Sequence, residues 1–241
     1  MSVELTSTGT RPGTETVQLC TRALAARHRA PRRRLTDFRK VSLAPGERRR
    51  LELGVPVAAL AHWSVSAGAF TVEPGQYEIL IGHSAEAVAL TAPLAVTGPA
   101  LPARGLIGGR LEAADFDECV GGTLVDATRE KGEAVTPATG DTHCRLRYRS
   151  VDLGGPADGP RVITAEVSRA TEEDATVEIY ADGGPGTGTL LAGLHVPAGT
   201  DGRYDWRTVS APMPAEVTGV HDLHLVLGGG VHLAAIAGGT R

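Results

Sequence analysis

Apolar and polar residues alternate in short stretches along most of the chain, and Gly, Pro, Asp and Thr separate the stretches. Alternation places successive side chains on opposite faces, so it predicts half-buried β-strands. In the first part of the chain the pattern predicts strands over Ser2–Leu5, Thr16–Cys20, Phe38–Leu43, Arg50–Val55, Gly68–Val72, Gly75–Ile81 and Ala87–Val96. Only Pro56–His62 reads as a helical turn. Further on it predicts Arg110–Ala113, Thr123–Asp126, Cys144–Val151, Arg161–Ser168, Thr176–Ala181, Thr189–Val196, Trp206–Ala211, His221–Leu227 and Val231–Ala235. Between the two sets, TGPALPARGLIGG (Thr97–Gly109) shows no alternation and reads as a connection. The expected architecture is all-β, with two β-sandwiches. A seven-strand sandwich over residues 1–97 is followed by a linker over 98–108 and a jelly-roll sandwich over 109–241. Long Gly-rich loops (GGPADGP, ADGGPGTG and PAGTDGRYD) join the strands of the second.

Composition narrows the function. Gly at 31 of 241 residues with 15 Pro agrees with many turns. No apolar run approaches the ~18 residues of a membrane span, and the polar start MSVELTSTGTRPG has no signal-peptide pattern. The sequence names no compartment. The net charge of −4 conceals +4 over residues 1–100 and −8 over the remainder, which supports a boundary near residue 100. Eleven basic residues fall between Arg22 and Arg50, but Pro31 and Pro45 break the run and Phe38 is its only aromatic. A solvated surface explains it better than a nucleic-acid partner. Cys20, Cys119 and Cys144 form no CxxC, which excludes a cysteine-built zinc or iron–sulfur site and a disulfide framework.

Catalytic patterns fail in turn. Glu172-Glu173-Asp174 reads as a charged turn. His221 and His224 are three apart in a predicted strand, so they face opposite sides and cannot share a metal. His143 and Cys144, being adjacent, meet the same objection. No GxSxG elbow is present. Gly183-Gly184 and Gly228–Gly230 lack the Lys and following helix of a phosphate cradle, and Gly228–Gly230 reads as a hairpin turn.

Three blocks in order carry a resemblance: TGTRPGTETVQLC at 8–20, RLTDFRKVSLAPGE at 34–47 and GAFTVEPGQYEILIGH at 68–83. Residues 1–97 resemble the fibronectin type III-like domain that closes family 3 glycoside hydrolases, the β-glucosidases and β-xylosidases. The resemblance implies an immunoglobulin-like sandwich whose leading strand is cut short here. Phe38 and Val41 are expected to point inward while Arg39 and Lys40 stay wet. The family usually has Tyr where this chain has Cys20.

Residues 109–241 resemble carbohydrate-binding module family 6. The blocks are RLEAADFDE, LRYRSVDLGG, GRYDWRTVSAPM and LHLVLGGGVHL. This resemblance implies a sugar cleft with two aromatics sandwiching a pyranose and an Asn at the base. One aromatic position falls at Thr136-Pro137 and the other at Arg203 or Tyr204, while the Asn position falls at His232. The implied carbohydrate-binding residues are therefore Tyr204, Arg203 and His232. Trp206 is expected to pack in the core. The family's structural calcium would retain Glu112, but Ala114 and Ala234 replace two side-chain ligands, and Asp115 is expected to cap the adjacent turn. No other cofactor is expected.

The resemblance implies a non-catalytic accessory region of a family 3 glycosidase, without hydrolytic activity alone. Its implied partners are a polysaccharide or oligosaccharide and the enzyme's catalytic domains, with neither nucleic acid nor membrane. A β-glucosidase or β-xylosidase fragment and a ligand-free spacer stand as alternatives.

Overall fold

The computed structural model describes residues 1–26, 30–128, 132–155, 161–169, 173–198 and 202–240. Glu172, His28 and the end of the GGPADGP loop lie outside the described residues. The chain divides into two compact units, Met1–Leu101 and Pro102–Arg241. Among the described residues no helix is long and apolar enough to cross a membrane.

The first unit contains β1 (Ser2–Thr6), β2 (Gly13–Ala23), β3 (Arg34–Leu43), β4 (Arg48–Glu52), β5 (His62–Ser64), β6 (Ala69–Thr71), β7 (Gly75–Gly82) and β8 (Val88–Val96). A four-stranded sheet in the order β3-β2-β7-β8 accompanies the pairs β1-β4 and β5-β6. The expected helical turn is a short 3-10 turn, Val57–Leu60. Val17 and Leu19 are two apart on β2, as are Val41 and Leu43 on β3, so each pair shares a face. They form the core with Leu51, Leu53 and Ile81. Phe38 corrects the sequence reading. It is 55% exposed while Val41 is buried, because residues three apart in a strand face opposite sides.

The second unit contains β9 (Arg104–Gly105), β10 (Arg110–Glu112), β11 (Glu118–Val120), β12 (Gly122–Asp126), β13 (Glu133–Pro137), β14 (His143–Asp152), β15 (Arg161–Arg169), β16 (Ala175–Ala181), β17 (Thr189–Val196), β18 (Arg207–Met213), β19 (Val220–Gly228) and β20 (Val231–Thr240). One sheet runs β12-β13-β20-β15-β18 with β10 beside β20. The other runs β11-β14-β19-β16-β17 with β9 beside β14. Alternate residues, such as Leu223, Leu225 and Leu227 of β19 with Ile163, Ala165 and Val167 of β15, fill the core. Part of the expected linker belongs to this unit: β9 pairs with β14, and Leu106 is fully buried.

Gly228–Gly230 makes a turn, but not a hairpin. The strands it joins, β19 and β20, lie in different sheets, so the turn crosses the sandwich. Buried Arg161 anchors the segment after β18. Its guanidinium donates to the carbonyls of Leu153 (2.6 Å), Pro214 (3.0 Å), Ala215 (2.8 Å) and Val217 (2.8 Å).

Candidate carbohydrate-binding site

His232 is the second residue of β20, and the antiparallel register sets it opposite Ser168 of β15. The Ser168 hydroxyl donates to the Arg203 carbonyl at 2.6 Å and lies 3.5 Å from His232 Nδ1. Arg203 and Tyr204 sit in a tight turn before β18, closed by Asp205 N–H donating to the Gly202 carbonyl at 3.0 Å. The Arg203 guanidinium carbon lies 4.7 Å from the centre of the Tyr204 ring, and Nη2 of the same side chain donates to the Tyr204 hydroxyl. Strand register and one hydroxyl thus tie the backbone of the Arg203–Tyr204 turn to His232.

The environment sets their chemistry. Burial, reinforced by the Arg203 charge, holds the His232 imidazole below its ordinary pKa, against a hydrogen bond to the Arg203 backbone. At neutral pH the ring is uncharged, with one donor and one acceptor nitrogen. Arg203 is exposed and supplies donors only, while half-buried Tyr204 offers a ring. Donors, an acceptor and an aromatic face are what a pyranose requires, because its C–H face stacks while its hydroxyls hydrogen-bond. The dent lined by Val167, Ser168, Arg169, Val196, Pro197, Asp205 and Arg207 encloses about 10 Å³. That holds no sugar. Residues 170–172 and 199–201, which border it in the chain, lie outside the described residues.

Thr136 is buried on β13, and the position carries no ring. Trp206 is half-buried rather than part of the central core, and its indole N–H donates to the Ala127 carbonyl at 2.7 Å. An indole needs a partner for that N–H, which the apolar core cannot offer. Ser168 escaped the sequence reading. Its signal was a small hydroxyl at the end of an alternating strand, where Val167, Ser168 and Arg169 are buried in succession.

Glu112 ends β10 in an exposed position, opposite Ala235 of β20. Its Oε1 accepts from Arg110 Nε at 2.7 Å and its Oε2 from Arg110 Nη2 at 3.4 Å, and Arg110 also pairs with Glu166 at 2.8 Å. Asp115 lies in the 3-10 turn Ala113–Asp115, where no side-chain cap bond forms at the N-cap. Burial pushes its carboxyl pKa up, with Glu112, Glu133 and Asp117 adding to the rise and Arg104 opposing it. Among the described residues no three His, Cys, Asp or Glu side chains are grouped so as to hold a metal. Calcium takes about 6–8 oxygen ligands. Glu112, its carboxylate held by the Arg110 guanidinium and with Ala114 and Ala234 at the other two positions, supplies one carboxylate toward that shell.

Two family models match the chain: the fibronectin type III-like domain over residues 15–85 and carbohydrate binding module (family 6) over residues 112–237. The second spans just over half of the chain, which therefore belongs to carbohydrate binding module family 6. Similar curated proteins match in the first unit. The periplasmic beta-glucosidase of Salmonella typhimurium is 33% identical over 81 residues, and the beta-glucosidase of Rhizobium radiobacter 35% over 85. These alignments cover 34% and 35% of this chain but 10% of each relative, so the chain spans about a tenth of their length. Among solved structures, a family 6 module of Clostridium stercorarium in complex with cellobiose is 24% identical, with a TM-score of 0.48. That match covers 58% of this chain and 98% of the module. The Bifidobacterium adolescentis family 3 beta-glucosidase is 31% identical with a TM-score of 0.40, over 42% of this chain and 15% of its own. The chain thus joins a fibronectin type III-like region to a family 6 module, an arrangement resembling the C-terminal region of family 3 glycosidases.

Proposed function

We propose that the second unit binds a polysaccharide or oligosaccharide at the cluster of Tyr204, Arg203 and His232. It would serve as the accessory region of a β-glucosidase-type enzyme whose catalytic domains lie outside this chain. The observation that carries the reading is that, inside a family 6 module, the turn holding the Tyr204 ring and the Arg203 guanidinium is tied through the Arg203 carbonyl and Ser168 to the His232 imidazole. Tyr204 supplies the stacking surface once the Arg203 guanidinium, which lies over its ring, turns to the sugar hydroxyls, and His232 bonds a further hydroxyl. One ring in place of two costs roughly 1–3 kcal/mol, on the scale for bases stacked on aromatics. A micromolar cleft then falls toward millimolar. The beta-glucosidase similarity of the first unit supports the enzymatic context.

Titrating cello- and xylo-oligosaccharides while following amide and indole NMR shifts tests the site. Saturable shifts centred on residues 202–206 and His232, lost in Tyr204→Ala, are expected. Shifts that persist unchanged in the variant would place the ligand elsewhere.

A further inference from the structure

Cys119 and Cys144 are 25 positions apart in sequence and meet at one point in the fold. β11 pairs antiparallel with β14, with Cys119 opposite Leu146, so Cys119 and Cys144 are diagonal neighbours on the inward face. Both are free thiols. The position that a Cβ on Gly122 would take lies 2.7 Å from Cys119 Sγ and 3.4 Å from Cys144 Sγ. The two sulfurs thus crowd over one glycine.

Their surroundings differ in a way that orders a reaction. Cys119 is half-buried, and Cys144 has no exposed surface. Burial raises the Cys119 pKa, but a hydrogen bond from the Gly122 N–H opposes the rise. Burial, with the nearby Cys119 and Asp141 adding to it, pushes Cys144 up to about 12. Cys119 is therefore the thiol that meets an oxidant first, with Cys144 behind it. Closure needs the short β11 to move inward, since disulfide Cβ atoms are about 3.5–4.5 Å apart and diagonal strand neighbours sit wider. Gly121, with φ of 70°, and Gly122 follow β11 directly and give its end a hinge.

We propose that Cys119 and Cys144 are a thiol pair that a small-molecule disulfide oxidises to an internal disulfide, bracing residues 119–144. In the first step the Cys119 thiolate attacks one sulfur of the oxidant. A mixed disulfide forms, and half of the oxidant leaves as a thiolate that takes up the proton Cys119 lost. In the second step the Cys144 thiolate attacks Cys119 Sγ and expels the other half, again as a thiol. Two protein thiols become one disulfide, and one oxidant disulfide becomes two thiols. The second step is slow because little of Cys144 is thiolate at neutral pH. The braced segment carries the Ala127 carbonyl that holds Trp206.

Incubation of the native full chain with oxidised glutathione, followed by acid quenching and peptide mapping, tests this. The expected product is a peptide pair linking Cys119 to Cys144, with Cys20 unlinked. The oxidised chain should melt at least about 3 °C higher, reversibly with dithiothreitol, because a cross-link restricts the unfolded chain. Cys144→Ala should stop at a glutathione adduct on Cys119. Mapping of the unmutated chain decides the matter even if that variant folds poorly. A lasting adduct on Cys119 with no linked peptide, or thiols that stay reduced, would overturn the pair. A linked pair with no change in melting would overturn the bracing.

Discussion

His221 Nδ1 lies 2.6 Å from Asp182 Oδ2, while its Nε2 lies 2.9 Å from the Thr218 carbonyl. Both partners are acceptors, so both ring nitrogens must donate and the bound form is the imidazolium. The bond to Asp182 raises the His221 pKa, helped by the Thr218 carbonyl and opposed by burial. The same bond lowers that of Asp182. Asp182 holds φ of 57°, and its carboxylate also accepts the Asp222 N–H at 3.1 Å.

The pH dependence follows. A raised histidine pKa contributes stability that is fully present below the unfolded value of about 6.5 and is lost as pH rises through the folded value. The lowered Asp182 pKa acts in the opposite direction at acid pH, where its contribution is lost as pH falls through the folded value. The His221→Gln variant should lose more stability at about pH 5.5 than at about pH 8.5, by under about 1 kcal/mol because Asp182 is well exposed. Urea midpoints at the two pH values, and an NMR titration of the His221 ring, check this. A midpoint at or below the free-histidine value would refute it.

Replacing Arg161 should be costly. Its guanidinium satisfies four carbonyls in a buried position. The Arg161→Met variant leaves them without donors, so a loss of about 3 kcal/mol or more is expected. Arg161→Lys should recover only part, because an ammonium cannot span the same fork. Urea unfolding of the three proteins measures both steps.

Gly122 offers a coupled test of packing. A methyl there meets Cys119 Sγ at 2.7 Å. Gly122→Ala should destabilise by about 1–3 kcal/mol, the usual cost of overpacking. Adding Cys119→Ala removes the clashing atom and should restore part of the loss, so the two changes should not add. Strict additivity in a double-mutant cycle would show that the clash is relieved elsewhere.

Calcium should stabilise little. A ligand at 100 times its Kd adds about 2.7 kcal/mol, a shift of several degrees. With Glu112 neutralised by Arg110, the melting temperatures in millimolar calcium and in chelator should differ by less than about 1 °C. A larger shift abolished by Glu112→Ala would establish a site built from other oxygens.

The strand pattern, the two sandwiches and the family resemblance were legible in the sequence because alternation is local. Val17 and Leu19, or Leu223, Leu225 and Leu227, declare a buried face within a few residues. β11 and β13 were not legible. β11 is three residues long, and β13 buries the consecutive Ala134, Val135 and Thr136, so neither alternates. Motif positions singled out Tyr204, Arg203 and His232, but the tie between the Arg203–Tyr204 turn and His232 depends on the β15–β20 register and on Ser168, which lies 64 residues before His232. The crossing turn at Gly228–Gly230 and the juxtaposition of Cys119 with Cys144 likewise emerged only in the tertiary structure. A one-residue slip in register turns every side chain to the opposite face. Local sequence therefore determined which segments extend and which faces are apolar, while the packed sheets decided which distant side chains share a site.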